Sequence, residues 1–162
     1  MRLGLVSLVA LTLTAACGSA PNTATTSTKT ESSGPQVLPL AAVENNIAGK
    51  PVVYLFTAPG CASCANQARA LATAARARSS IQLVGVDLTN DKPADFAAYV
   101  TAVGLAQSRF MWTIDQDGAL ARRFGVVSLS SSVFVTSDGQ VRFVDSGPQD
   151  AQTLAAQLSQ LS

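Results

Sequence analysis

Hydrophobic and polar positions divide the chain into three stretches. Leu3 to Leu13 is an apolar run without a charge, preceded by Met1-Arg2 and closed by Ala15-Ala16-Cys17. Residues 18–35 are Gly, Ser, Thr, Asn or Pro at 14 of 18 positions. From residue 37 onward, short continuous apolar blocks alternate with stretches of helical spacing. A continuous apolar block marks a strand buried on both faces, and apolar residues three or four apart mark a helix.

On that basis Leu40 to Ile47 is a short helix closed by Ala48-Gly49. Pro51 to Phe56 is a buried strand, broken by Ala58-Pro59-Gly60. Cys61 to Arg78 is a helix rich in Ala, Leu, Gln and Arg, with Ala65, Ala68, Leu71, Ala72 and Ala75 as its apolar stripe. Ile81 to Leu88 is a second buried strand, Pro93 to Val103 a helix ending at Gly104, and Phe110 to Ile114 a short strand. Asp115 to Gly118 is a turn, and Ala119 to Phe124 a short helix capped by Gly125. Val133 to Thr136 and Gln140 to Asp145 form a hairpin about Ser137-Asp138-Gly139. Asp150 to Leu161 is the closing helix, with Leu154, Leu158 and Leu161 on one face. This order predicts an α/β fold, a central mixed β-sheet flanked by helices on both faces. Its first two strands pair in parallel and its hairpin antiparallel.

The opening run has the layout of an export signal: a positive start, an apolar stretch and small residues before a cut. It falls short of the ~20 apolar residues that span a bilayer. Leu13-Thr14-Ala15-Ala16-Cys17 resembles a bacterial lipobox, with Thr14 where Leu is most usual. That resemblance implies cleavage before Cys17 and a diacylglycerol on its sulfur. Ordinary cleavage after Ala20 is the competing reading and would discard Cys17. The expected organisation is a signal peptide over 1–16, a Ser/Thr-rich flexible tether over 17–36 and one folded domain over 37–162. The location that follows is the outer face of the cell membrane, anchored by lipid at Cys17.

Composition narrows the chemistry. Eleven Lys and Arg face ten Asp and Glu in 162 residues, which argues against a basic nucleic-acid binder. The chain has no histidine, so Ser-His-Asp and Cys-His catalysis and imidazole metal sites are excluded. Three cysteines remain. Cys61-Ala62-Ser63-Cys64 follows a buried strand and opens a helix. A helix N-terminus favours an anion, and the thiolate is the reactive form of cysteine. Cys64 lies one turn further on, on the same side and deeper. The pair has the layout of a redox dithiol, with Cys61 attacking a disulfide and Cys64 resolving the mixed disulfide. A zinc half-site would need two further ligands, and a purely structural disulfide would close too small a loop to constrain much.

Pro51-Val-Val-Tyr-Leu-Phe-Thr-Ala-Pro-Gly-Cys-Ala-Ser-Cys64, Trp112-Thr-Ile-Asp-Gln-Asp-Gly118, Ala121-Arg-Arg-Phe-Gly-Val126 and Val133-Phe-Val-Thr-Ser-Asp-Gly-Gln-Val141 appear in that order. Together they resemble the thioredoxin superfamily, specifically its TlpA-like extracytoplasmic members, over nearly all of 40–160. The resemblance implies a thioredoxin-like fold and thiol–disulfide exchange on exported proteins, often as a reductant in cytochrome c maturation. It also implies catalysis by Cys61 and Cys64 without a cofactor or metal, and a membrane redox partner that resets the dithiol. Leu129 and Ser130 fall in the loop that docks the substrate backbone.

The sequence departs from that pattern in four places. Ser130 stands where the family has a cis-proline, and a non-proline cis bond costs ~2.5–4 kcal/mol, so a loop of different shape is expected. Leu55 replaces a buried acid that moves a proton off the second thiol. Gly60 replaces a tryptophan, and Ala62-Ser63 lacks a proline. These departures keep open an alternative, a non-catalytic thioredoxin-like module that binds clients or a metal. A peroxidase of the peroxiredoxin type fits less well, because its Thr three residues before the Cys, with Pro between, is not matched around Cys61. Asp87 is expected to cap a turn, Phe110, Trp112 and Tyr54 to be core, and Arg122-Arg123 a solvated helix face.

Overall fold

The computed structural model describes residues 34–161; the signal segment, Cys17 and most of the expected tether lie outside them. Eleven elements follow in order: β1 (Val37–Leu38), α1 (Leu40–Ile47), β2 (Val52–Thr57), α2 (Ala62–Ala74), β3 (Gln82–Asp87), α3 (Pro93–Ala102), β4 (Phe110–Ile114), α4 (Ala119–Phe124), β5 (Ser132–Val135), β6 (Val141–Asp145) and α5 (Ala151–Ser159). The sheet runs β1-β4-β3-β2-β5-β6. β1, β4, β3 and β2 are mutually parallel. β5 joins β2 antiparallel, and β6 closes the hairpin on β5.

β2 is buried at all six positions because both faces of the sheet are covered. Val53 and Leu55 enter one apolar cluster with Ala68 and Leu71 of α2, Phe96 of α3, Trp112, and Leu154 and Leu158 of α5. Val52, Tyr54 and Phe56 enter the other with Val43 of α1, Val84, Leu120 of α4 and Val133. Alternation along one strand thus feeds two cores, as a sheet with period two requires. Each fully buried Leu, Val or Phe here contributes about 1.5–3 kcal/mol relative to exposure. Tyr54 packs on Phe124, ring centroids 5.1 Å apart, and burial pushes its phenol above the ordinary value, opposed by Arg123.

One close approach sets the sheet's centre. Gly85 of β3 pairs with Trp112 of β4, and a Cβ on Gly85 would lie 2.1 Å from the indole ring. The ring stacks on Phe110 and meets Phe96 edge-on, so Phe110 and Trp112 are core, as expected.

The structure differs from the sequence reading chiefly in three ways, the other element ends shifting by one or two residues. β1 was not expected; two residues are too few to show a period, and they become a strand only by pairing with Trp112 and Thr113. α2 ends at Ala74 rather than Arg78. Arg109 explains the stop: its guanidinium donates to the carbonyls of Ala75, Arg78, Ser79 and Ile81, holding that segment as a turn. Finally, α2 and α5 each begin one residue later, because Cys61 and Asp150 act as their N-caps.

Candidate active site

β2 delivers the chain to Pro59 and Gly60, and Gly60 turns it at φ +81°, a conformation that favours glycine. Cys61 follows as the N-cap of α2. Its N–H donates to the Ala58 carbonyl at 3.2 Å, and its Sγ accepts the Cys64 N–H at 3.2 Å. The thirteen-residue helix therefore directs a free backbone donor and its positive end at that sulfur. No acidic side chain sits in its first turn to oppose the effect. Ser63 Oγ lies 3.4 Å from the same sulfur.

Cys61 and Cys64 are joined as a disulfide with Cα atoms 5.3 Å apart. Cys61 is half-buried and Cys64 fully buried, so only one sulfur is open to a partner. Tyr99 of α3 donates its hydroxyl to the Cys61 carbonyl at 3.2 Å, tying the N-cap to the neighbouring helix. That carbonyl also accepts the Ala65 N–H, the first bond within α2.

On the inner side, Cys64 Sγ lies 3.9 Å from the Phe56 carbonyl. In the disulfide this is a contact between two acceptors; in the dithiol the carbonyl can receive the Cys64 S–H. The same carbonyl accepts the Ser130 N–H at 2.8 Å, and the Phe56 N–H donates to Ser131 at 2.9 Å. β2 is thereby stitched to the loop before β5, directly beside the disulfide.

That loop has the altered shape expected of a serine at the proline position. Ser130 adopts φ +63°, a left-handed conformation that a proline ring cannot adopt. Ser130 is 2% exposed, and its Oγ has no hydrogen-bond partner among the described residues. Leu129 is 40% exposed and Val127 93% exposed. Of the two loop residues singled out from the sequence, Leu129 therefore presents its side chain to solvent, and Ser130 is enclosed.

The remaining polar groups near the site have other tasks. Asp87 is buried and accepts from the Thr89 N–H, the Thr89 hydroxyl and the Asp91 N–H, capping a turn as expected. Asp115 likewise accepts from Leu120 and Ala121 at the start of α4. Leu55 is fully buried in the core. Arg122 and Arg123 are solvent-exposed; Arg123 lies 3.7 Å from Glu44. Gln67 of α2 is buried and exchanges hydrogen bonds with Gln149, at 2.7 and 3.0 Å, locking α2 to the approach to α5. Among the described residues no three His, Cys, Asp or Glu side chains gather as a metal site.

Sequence reasoning missed Phe56 and Tyr99. Phe56 acts through its backbone carbonyl, which no residue identity advertises. Tyr99 is 38 positions from Cys61, and only the packing of α3 beside α2 joins them.

Residues 24–144 match the model of the AhpC/TSA family. The chain belongs to the AhpC/TSA family. Solved structures similar to this AhpC/TSA member share its thioredoxin-like fold. DsbF of Mycobacterium tuberculosis, solved in mixed oxidised and reduced forms, is 26% identical, with 73% of this chain and 85% of that chain covered and a TM-score of 0.63. A secreted disulfide oxidoreductase of the same organism, homologous to DsbE of E. coli, is 25% identical, with 72% and 86% covered and a TM-score of 0.59. The exposed lipoprotein thioredoxin Etrx1 of Streptococcus pneumoniae shares the fold at 20% identity, with 72% and 89% covered and a TM-score of 0.61. Among curated proteins, the mercury resistance operon ORF3 product of Streptomyces lividans is 30% identical over 111 residues, 64% of this chain. The match spans 56% of that relative's length.

Proposed function

We propose that this protein is an exported thiol–disulfide oxidoreductase, tethered to the outer face of the cell membrane by lipid on Cys17, that exchanges disulfides with exported proteins through Cys61 and Cys64. The observation that carries the reading is the asymmetry of the pair: a reachable sulfur at a helix N-terminus, disulfide-bonded to a buried one.

In the reducing direction the Cys61 thiolate attacks one sulfur of a client disulfide. A Cys61–client bond forms, the client S–S bond breaks, and its electron pair leaves on the second client sulfur. Cys64, as thiolate, then attacks Cys61 Sγ. The Cys61–Cys64 bond forms and the client departs as a dithiol. Two electrons have passed to the client, and no cofactor is required. The reverse sequence oxidises a client. The helix end stabilises the Cys61 anion in both directions. Leu129, exposed on the loop that Ser130 and Ser131 tie to Phe56, offers an apolar seat for the client chain. A membrane redox partner resets the dithiol after each turnover.

The test is the reduction potential of the pair in the purified protein, by equilibration against glutathione with thiol trapping. A value near or below about −250 mV makes it a reductant, and one near the ~−120 mV of DsbA makes it a disulfide donor. Absence of exchange over hours overturns the enzyme reading and leaves a client-binding module. Membrane fractionation of a Cys17→Ser variant tests the anchor: the variant is expected in the soluble fraction, and retention with the membrane refutes lipid on Cys17.

A further inference from the structure

The loop before β5 and the first residue of that strand carry four closely spaced serines, and three of them have employment. Ser128 and Ser131 pair their hydroxyls at 3.1 Å, and Ser131 Oγ also donates to the Ser128 carbonyl at 2.8 Å. Ser132 Oγ accepts from Gln67 Nε2 at 3.4 Å. Ser130 alone of these has a hydroxyl that is buried and without a partner among the described residues. Buried hydroxyls are ordinarily hydrogen-bonded, and an unpaired one is costly. The Ser130 backbone lies on the Phe56 carbonyl, the atom against which Cys64 Sγ also rests.

A disulfide sulfur is a poor acceptor, whereas a thiolate is a strong, charged one. We propose that the Ser130 hydroxyl turns about its Cα–Cβ bond to donate to the Cys64 thiolate when the disulfide opens, and thereby sets the redox equilibrium of the pair. No electron passes through Ser130, and its proton is shared rather than transferred. While Cys64 is the anion, its lone pair is held by the Ser130 O–H. That lone pair is released when it forms the S–S bond to Cys61 and expels the client sulfur. The proposal rests on the redox reading above.

Among the described residues no ionisable side chain hydrogen-bonds Cys64, and Tyr99 is engaged by the Cys61 carbonyl. Leu55 occupies the core position beneath the site. Asp87, at the end of the strand beside β2, has both oxygens engaged by Thr89 and Asp91. On α2 itself, Gln67 is taken by Gln149 and Ser132, and Arg69 by Asn66 and the Val103 carbonyl. A proline at position 130 would offer neither N–H nor hydroxyl. The departure from the family pattern is thus the feature that supplies a donor.

The experiment compares the wild type with Ser130→Ala and Ser130→Gly. Both variants delete the hydroxyl. At φ +63° alanine keeps the Cβ strain that serine already carries and glycine relieves it, so a purely structural effect would separate the two variants, whereas loss of the hydroxyl moves them together. Equilibration with glutathione is expected to favour the disulfide about fivefold more in both variants, a potential lower by about 20 mV. In a Cys61→Ser background, the midpoint of thiolate absorbance for Cys64 is expected to rise by about one pH unit in both. An unchanged midpoint and an unchanged equilibrium in the glycine variant overturn the proposal. If the wild type itself fails to exchange, the oxidoreductase reading falls, and the Cys61→Ser titration still decides the role of Ser130.

Discussion

Cys64 and Ser130 meet at one oxygen. The Phe56 carbonyl lies 3.9 Å from Cys64 Sγ and accepts the Ser130 N–H at 2.8 Å. The residues are far apart in sequence, and the antiparallel pairing of β5 on β2 brings them to the same atom. This contact ties the buried half of the disulfide to the loop that carries Leu129. A change in one is therefore expected to be felt by the other.

The unequal burial of the two cysteines gives the first prediction. Cys64→Ser is expected to accumulate mixed disulfides between Cys61 and exported proteins, because the attack that releases the client is lost. Cys61→Ser is expected to accumulate none, since Cys64 is enclosed. Non-reducing gels of trapped cell extracts read both. Equal trapping by the two variants contradicts the assignment of Cys61 as the attacking residue.

Tyr99→Phe removes the hydroxyl that holds the Cys61 carbonyl. A neutral hydrogen bond of this kind contributes about 0.5–1.5 kcal/mol. A fall in Tm of about 2–6 °C is expected in thermal unfolding. The N-cap should also open more readily, and amide hydrogen exchange at Cys64 and Ala65 should speed up. A Tm and exchange pattern identical to wild type would remove Tyr99 from the site.

Gly85→Ala places a methyl 2.1 Å from the Trp112 ring. Overpacking of this kind costs about 1–3 kcal/mol or more. Here backbone and ring are both enclosed, so the upper end is expected, with a shifted Trp112 fluorescence spectrum. Combining it with Trp112→Leu should recover part of the loss relative to the sum of the single variants. Strict additivity by chemical denaturation would show that the indole is not what excludes a side chain at residue 85.

Asp150 gives a pH prediction. Its carboxylate accepts the N–H groups of Gln152 and Thr153 at 2.8 and 2.9 Å and the Thr153 hydroxyl at 2.9 Å. These bonds, those to Thr153 first, hold its pKa below the ordinary value. The folded pKa lies below the unfolded one. The stabilisation is therefore fully present above about pH 4, near the unfolded value of ~3.9, and is lost as pH falls through the folded pKa. Asp150→Asn keeps a capping oxygen without the charge. Its Tm should fall less steeply than the wild type's between about pH 5 and 2. Parallel Tm–pH curves would show that the cap does not titrate with folding.

Much of the site was legible because its signals are local. Cys61-Ala62-Ser63-Cys64 after a continuous apolar strand specifies a dithiol at a helix start within a dozen residues. Phe56 and Tyr99 were not legible, because one acts through backbone and the other through a long-range contact. Ser130 lies between these cases. Its identity marked it as a departure from the family pattern, but its left-handed backbone and orphaned hydroxyl depend on where β5 places the loop.

The sequence by itself determined the order of helices and strands from α1 onward, the two-sided burial of β2 and β3, and the place of the cysteine pair. Each of these follows from hydrophobic period, turn residues or near-neighbour spacing, which a linear chain carries explicitly. Only the tertiary structure decided that β1 pairs with β4, that Arg109 ends α2, and that Gly85 must yield to Trp112. It alone also set Cys64 and Ser130 against the same carbonyl. These depend on close approach between residues distant in sequence. That approach is set by the packing of whole layers, and no local pattern records it.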